Sequence, residues 1–231
     1  MFNTETVNFL KLMNKITNSM ILTYPITTGK TESSDIAYMF DLSKFDTDGF
    51  DTPIGFFNLS SFLSAFSLFD DSREVKLENN IIKISDKNTS VGYLTSACDI
   101  LQQYSFKKEQ FDKNSEHPVV LNMKFTTDDI EKIRCAHTVF KELDHLIISC
   151  DENTVLSLGT VNNFKQSSNY FNIKKNEISD KNFTIGIALD IIAKIPPIDY
   201  DLKVIYNEGR NAYRIILSVD TFSLVMSGKN I

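Results

Sequence analysis

The sequence predicts an α+β protein with two similar domains, each an antiparallel β-sheet with two helices on one face. Two observations support this. The order helix, strands, short helix and three-stranded meander occurs twice along the chain. A charged, non-periodic segment that ends in proline separates the two copies. We therefore expect domains at residues 1–105 and 119–231, with residues 106–118 as the connector.

The composition is that of a globular protein with a substantial core. The chain has 231 residues, of which 42% are hydrophobic and 23% charged. This size and balance exclude a disordered or collagen-like chain and allow a core without disulfides. The formal net charge of −6 argues against a uniformly basic nucleic-acid binder but does not describe single faces.

The first copy begins with a helix over residues 4–17, where apolar residues recur at helical spacing. Two runs rich in strand-forming residues follow, at residues 18–25 and 35–42. The polar TTGKTES segment between them, residues 27–33, is interpreted as a hairpin tip.

The stretch FFNLSSFLSAFSLFDD, residues 56–71, predicts a short helix that begins after Asn58, a favourable N-cap residue. Its phenylalanines and leucines fall on one arc, as expected for a core-facing surface. The opposite arc is uncharged and consists of Ser60, Ser61, Ser64 and Ser67. About three helical turns are too short to span a bilayer, so we expect no membrane contact here.

Three alternating runs follow that helix and predict a β-meander, because polar turns rich in asparagine separate them. The runs are REVKL (73–77), IIKIS (81–85) and SVGYL (90–94).

The second copy repeats this order after the connector. It opens with a helix over residues 126–143, whose early acids Asp128, Asp129 and Glu131 suit capping and the helix dipole. Strands at residues 145–151 and 154–161 come next. The short helix is predicted at residues 186–195, before Pro196 and Pro197, and the meander at residues 200–206, 212–218 and 222–227.

The outward faces of the predicted helices carry lysine, arginine, asparagine, threonine and serine. Each face alone is typical of an ordinary solvated surface. Four such faces at equivalent positions of an acidic protein favour one mildly positive surface. Such a surface would hold a DNA backbone weakly, without sequence preference and with strong salt dependence.

No enzyme motif is complete in the sequence. The GKT triplet within residues 27–33 lacks the P-loop glycine, because Tyr24 stands five positions before Gly29. Cys135 and His137 point to nearly opposite sides of a predicted helix, so they cannot share one zinc ion. GxSxG and HExxH are both missing. We therefore expect neither catalysis nor a metal or cofactor.

The cysteines and the first residues of the chain suggest a reducing compartment. Cys98, Cys135 and Cys150 are an odd number without CxxC spacing, which favours free thiols over a disulfide framework. The segment MFNTETVNFLKLMNK has no basic start and no long apolar run, so we expect no signal peptide.

Two runs carry a family resemblance. FNLSSFLSAFSLFDDSREVKLENNIIKISDKNTSVGYL resembles the second helix and meander of the first domain in the DNA polymerase sliding clamp, or processivity factor, of T-even-type bacteriophages. The shared pattern is Asn/Asp-Leu-x-x-Phe-Leu, Ser-Leu, an Asp-Asp pair and an Ile-Lys-Ile strand. AKIPPIDYDLKVI, with Lys194 and Pro197, is similar to the corresponding part of the second domain. Residues 96–125 and 160–183 match poorly.

The resemblance implies the DNA clamp fold and a homotrimeric ring, with sheets outside and helices lining a central hole. It implies a non-enzymatic protein that encircles duplex DNA, tethers the replicative DNA polymerase and is loaded by a clamp loader. It also implies late-transcription factors as partners and the cytoplasm of an infected bacterial host as the location. The alternative is a monomeric viral processivity factor that binds DNA directly through its basic helical face.

The same resemblance assigns roles to particular residues. The DNA-facing candidates are Lys11, Lys15, Ser60, Ser64, Arg134, Lys141 and Lys194. A partner-peptide groove near the connector would involve Ile36, Tyr38, Phe106, Phe111 and Val225. Sheet edges near residues 89–95 and 168–174 are the expected subunit contacts.

Overall fold

The chain forms two compact units in the computed structural model, Met1–Lys108 and Glu109–Ile231. The structure describes residues 2, 4–44, 51–70, 73–151, 153–160, 170–179 and 181–231. The junction between the units falls within the segment interpreted as a connector.

The first unit contains three α-helices and seven strands among its described residues. The helices are α1 (Thr4–Ile16), α2 (Leu59–Phe66) and α3 (Cys98–Leu101). The strands are β1 (Met20–Leu22), β2 (Ile26–Lys30), β3 (Ile36–Asp41), β4 (Ile54–Phe56), β5 (Glu74–Glu78), β6 (Ile81–Ser85) and β7 (Ser90–Leu94). Strand β1 pairs with β4, β2 with β3, and β5–β6–β7 form a meander, all antiparallel.

Aromatic contacts hold the helices of the first unit on its strands. The rings of Phe9 in α1 and Phe40 in β3 lie 4.9 Å apart between centroids. The ring of Phe62 in α2 lies 5.3 Å from that of Tyr93 in β7. These pairs bury the apolar arcs predicted for both helices, in edge-on geometries favourable for aromatic rings.

Local sequence determines α2 as predicted. The Asn58 side chain caps the helix by accepting a hydrogen bond from the Ser61 backbone N–H at 2.8 Å. Leu59, Phe62 and Phe66 are buried. The helix ends at Phe66, one turn earlier than the apolar pattern suggested.

The interpretation of residues 27–33 as a hairpin tip is wrong in part, because residues 26–30 form strand β2. The turn lies further along, where the Thr31 N–H donates to the Ile36 carbonyl at 2.9 Å. Gly29 lies inside β2 opposite Tyr38, and the Tyr38 ring occupies the space that a side chain at position 29 would need. A Cβ at that position would be 2.3 Å from the Tyr38 hydroxyl oxygen.

The second unit contains three α-helices and eight strands among its described residues. The helices are α4 (Lys108–Asp112), which begins at the junction, α5 (Thr127–Val139) and α6 (Leu189–Lys194). The strands are β8 (Val119–Phe125), β9 (His145–Cys150), β10 (Thr154–Gly159), β11 (Asn172–Lys175), β12 (Phe183–Ala188), β13 (Tyr200–Asn207), β14 (Ala212–Val219) and β15 (Phe222–Asn230). The strand order is β11–β10–β9–β12–β15–β14–β13–β8, and the described pairings are antiparallel.

The same order of elements occurs in both units. In each, a long helix is followed by four strands, a short helix and a three-stranded meander. The predicted α+β class, with antiparallel sheets and helices, is confirmed.

One prediction for the second unit needs correction. The helix predicted at residues 186–195 is strand until Ala188, because residues 183–188 pair with β9, and it becomes helix only at Leu189. Within the segment interpreted as the connector, α4 and the 3₁₀ turn Lys113–Glu116 bury Phe111 and Asn114.

No helix among the described residues is both long enough and apolar enough to cross a membrane.

Candidate nucleic-acid interface

In the first unit, Asn18 joins the end of α1 to the beginning of α2. Its backbone carbonyl accepts from the Leu59 N–H at 2.8 Å, and its Oδ1 accepts from the Ser60 N–H at 2.9 Å. Glu32 fixes this junction, since its Oε1 accepts from the backbone N–H groups of Asn18 and Ser19 at 3.0 and 2.8 Å. These hydrogen bonds therefore connect the end of α1 to the beginning of α2.

The exposed surface of this helix pair is cationic on α1 and neutral on α2. Lys11 and Lys15 are exposed, and Glu5, the single acidic residue in the α1 sequence, lies in the opposite first turn. All four serines of the predicted arc are exposed: Ser60, Ser61, Ser64 and Ser67. This part of the predicted surface has the chemistry that its sequence suggested.

The amino end of α2 does not offer an anion site. The first backbone N–H groups donate to Asn18 and Asn58, as described, so they are already satisfied. The serine hydroxyls are what this helix presents outward, and one of them, Ser67 Oγ, donates to the Ser64 carbonyl at 2.8 Å.

In the second unit, Arg134 of α5 contacts the end of α6. Its Nη2 donates to the backbone carbonyls of Ile192 at 2.9 Å and Ala193 at 3.1 Å, and also to that of Ile195. The sequence predicted an outward-pointing cation that faces DNA. The structure instead places the guanidinium against the carboxyl end of a neighbouring helix, where a positive charge complements the helix dipole.

The exposed arc of α5 is less cationic than the sequence suggested. It carries Asp128, Glu131 and Lys132, and the ammonium of Lys132 lies 2.6 Å from the Asp128 carboxylate. Of the other predicted cations, Lys141 is exposed in the turn after α5, since the helix ends at Val139, and Lys194 is half-buried in the last turn of α6. The structure therefore brings Arg134 to the segment that carries Lys194.

An ion pair between Asp129 and Lys175, which was not predicted from the sequence, lies at the amino end of α5. Thr126 and Asp129 form a capping box, with the Asp129 carboxylate accepting from the Thr126 N–H at 2.8 Å. The same carboxylate oxygen lies 2.5 Å from the ammonium of Lys175 on β11, and the two side chains are only 5% and 16% exposed. The capping box was predictable from local spacing, whereas no local pattern pairs residues so far apart in sequence.

The residues predicted for a partner-peptide groove are largely internal. Ile36 and Tyr38 lie fully buried on β3, and Phe111 and Val225 are each 6% exposed. Phe106 is half-buried. Because Ile36 and Tyr38 have no exposed surface, their burial argues against direct contact with a docked peptide. Burial also raises the pKa of the Tyr38 phenol well above its usual range.

Comparison with known proteins identifies the fold. No protein-family model and no curated protein matches the sequence. Among solved structures, proliferating cellular nuclear antigen (PCNA) from Entamoeba histolytica matches with a TM-score of 0.65 and 12% identity, over 97% of this chain and 95% of that one. PCNA from Thermococcus kodakaraensis matches with a TM-score of 0.64 and 10% identity, over 99% and 98% of the two chains.

A bacterial protein also matches. The DNA polymerase sliding clamp from Pseudomonas aeruginosa gives a TM-score of 0.60 and 8% identity over 96% of this chain. This chain spans only 61% of that protein. The chain therefore has the fold of PCNA and of bacterial sliding clamps.

Proposed function

We propose that this protein is a DNA sliding clamp that encircles duplex DNA and tethers a replicative DNA polymerase. The observation that carries the proposal is the fold, which matches PCNA over nearly the whole of both chains. The described helices fit this function, because they present lysines and serines and no dense base-reading surface.

The proposed assembly is a closed homotrimer. Two units per chain and three chains would give a ring with approximate sixfold symmetry. Its expected contacts involve β7 and β11, at which the described strand orders of the two units end. End strands offer unpaired backbone groups to a neighbouring chain. Residues 168 and 169 of the predicted contact lie outside the described part. PCNA2 and PCNA3 of Sulfolobus tokodaii, which share this fold, form a complex with each other.

A closed ring explains how a protein of net charge −6 can hold DNA. Retention is then topological, and the inner surface needs only to avoid repelling phosphate. Lys11, Lys15, Lys141 and Lys194 would supply weak, non-specific attraction, while Ser60 and Ser64 would supply a hydrated neutral surface.

The partners proposed are a DNA polymerase, a clamp loader and, in a phage context, late-transcription factors. The resemblance to T-even-type phage clamps supports these partners and a location in the cytoplasm of an infected bacterium. PCNA of A. fulgidus, another protein of this fold, binds the C-terminal region of FEN-1. That complex supports peptide tails as the mode of recruitment, and the function requires no catalysis or cofactor.

The decisive experiment measures mass and topology together. Light scattering should give the mass of three chains in solution. DNA synthesis by the cognate polymerase should be stimulated on primed circular DNA, and much less on short linear duplexes, from which a ring slides off. A stable monomer without stimulation would contradict the proposal.

The same experiment separates the alternative, a monomeric processivity factor. That protein would bind short linear duplex directly, and changing Lys11, Lys15, Arg134 and Lys141 together to glutamate would abolish the binding. A ring should show little linear binding to lose.

A further inference from the structure

The carboxyl end of α6 lacks the backbone donors that usually follow a helix. The helix has six residues and is followed by Ile195, Pro196 and Pro197. The last carbonyls of a helix need partners from later residues, and proline has no N–H group to give. The Ile195 N–H reaches the Ile192 carbonyl only at 3.4 Å, and the next N–H, of Ile198, donates to Pro196.

Arg134 supplies the missing donor from another helix. All three hydrogen bonds to this segment come from Nη2, and they reach the carbonyls of Ile192, Ala193 and Ile195. The buried Nε atom has no hydrogen-bond partner among the described residues. The Nη2 atom alone therefore caps the carboxyl end of α6, and the positive charge of the guanidinium lies at the negative end of the α6 dipole.

The three acceptors lie on either side of Lys194 in the chain. We infer that Arg134 is a positioning residue, which fixes the backbone that presents Lys194 and does not itself contact phosphate. The inference rests on the proposed function, in which α6 borders the DNA. It assigns Arg134 and Lys194 different roles, although the family resemblance implied the same DNA-facing role for both.

Four variants of the full-length protein test this inference. R134M removes the donor and the charge. R134K keeps a single donor nitrogen with a positive charge, which matches the observed use of Nη2. K194Q removes the presented charge alone. K132M is the control, because it removes a cation from the exposed face of α5 that does not cap α6.

The first measurement is hydrogen exchange of the α6 backbone amides, which needs no DNA. R134M should speed this exchange by about tenfold or more, R134K should restore it to within about threefold, and K194Q and K132M should leave it within about twofold. Unchanged exchange in R134M overturns the inference. Local exchange is informative as long as amides of β13 and β14 stay protected. If R134M does not fold, α6 exchange in R134K that is much more than about threefold faster than in the wild type overturns the inference.

The second measurement is the salt concentration that halves polymerase stimulation on primed circular DNA. It should fall in K194Q and in R134M, and it should be unchanged in R134K. Normal salt resistance in R134M, together with a loss in K194Q, overturns the positioning role. If the wild-type protein gives no stimulation, the proposed function fails, while the exchange result still decides whether Arg134 holds α6.

Discussion

Tyr38 is a fully buried tyrosine whose hydroxyl has no hydrogen-bond partner among the described residues. A buried, unsatisfied hydroxyl costs about 1–3 kcal/mol of desolvation. We therefore predict that Y38F raises the free energy of unfolding by about 1 kcal/mol, since the ring contacts are kept and only the unpaired oxygen is lost. Urea denaturation monitored by circular dichroism measures this change.

Tyr200 provides the matched control for that substitution. It is also buried, but its hydroxyl donates to the Pro196 carbonyl at 2.9 Å. Y200F should lower the free energy of unfolding by about 1 kcal/mol, because it removes this hydrogen bond, although the Pro196 carbonyl keeps the one from the Ile198 N–H. A loss of stability in Y38F equal to that in Y200F would show that the Tyr38 hydroxyl is satisfied.

The two tyrosines also predict a loss of stability at alkaline pH. Burial raises the pKa of both phenols well above the ordinary value of 10.0. Above about pH 10 the unfolded chain loses these protons while the folded chain keeps them. Their contribution to stability is therefore full below pH 10 and falls as the pH rises further.

The measurement compares the wild-type protein with the Y38F/Y200F variant in urea denaturation between about pH 8 and pH 11. The wild-type protein should lose stability more steeply above pH 10 than the variant. Parallel curves would show that neither phenol has a raised pKa.

At the scale of elements, the buried pair of Asp129 and Lys175 joins the amino end of α5 to strand β11. Removing one partner of such a pair leaves a buried charge unpaired. We predict that K175M lowers the free energy of unfolding by about 3 kcal/mol. Lys174, the next residue on the same strand, is exposed, and K174M should change stability by less than about 0.5 kcal/mol.

A double-mutant cycle with D129N extends this test. The combined D129N/K175M variant should lose less stability than the sum of the single losses, because the unpaired charge is then also removed. Strict additivity would mean that the two groups do not interact.

Elements with local determinants were predictable from the sequence. Strands β6 and β7 have the predicted bounds, and the Asn79–Asn80 turn before β6 has positive φ values of 49° and 63°, which favour asparagine. By contrast, residues 186–188 lie in the segment predicted as a helix but pair with β9, a contact that no local pattern contains.

The candidate surface was predictable only where the helix periodicity is clear. Lys11, Lys15 and the serine arc are exposed as expected. Arg134 also lies on the predicted helix, but its side chain donates to the carbonyls of Ile192 and Ile195. Backbone donors are scarce there because Pro196 and Pro197, far away in the chain, have no N–H group. Helical periodicity predicts which side chains lie on the exposed face of a helix. It does not predict which neighbouring element such a side chain contacts.

At the scale of the whole molecule, the proposed ring makes a specific demand on the serine arc of α2. A surface past which phosphates slide should neither attract nor repel them strongly. We predict that S60E/S64E reduces polymerase stimulation on primed circular DNA at least about threefold, because two carboxylates per subunit would repel the duplex. Both serines are exposed, and the glutamate at position 60 lies at the amino end of α2, where it complements the helix dipole, so folding should be preserved.

Two companion variants separate charge from structure. S60A/S64A keeps the face neutral and should retain stimulation. S60K/S64K should gain salt-sensitive binding to short linear duplex, which a gel-shift titration detects, because added lysines supply phosphate contacts that need no closed ring. All three variants should keep the oligomeric mass of the wild-type protein. Full stimulation by S60E/S64E at that mass would show that this arc faces away from the DNA, and the proposed ring would then need a different inner surface.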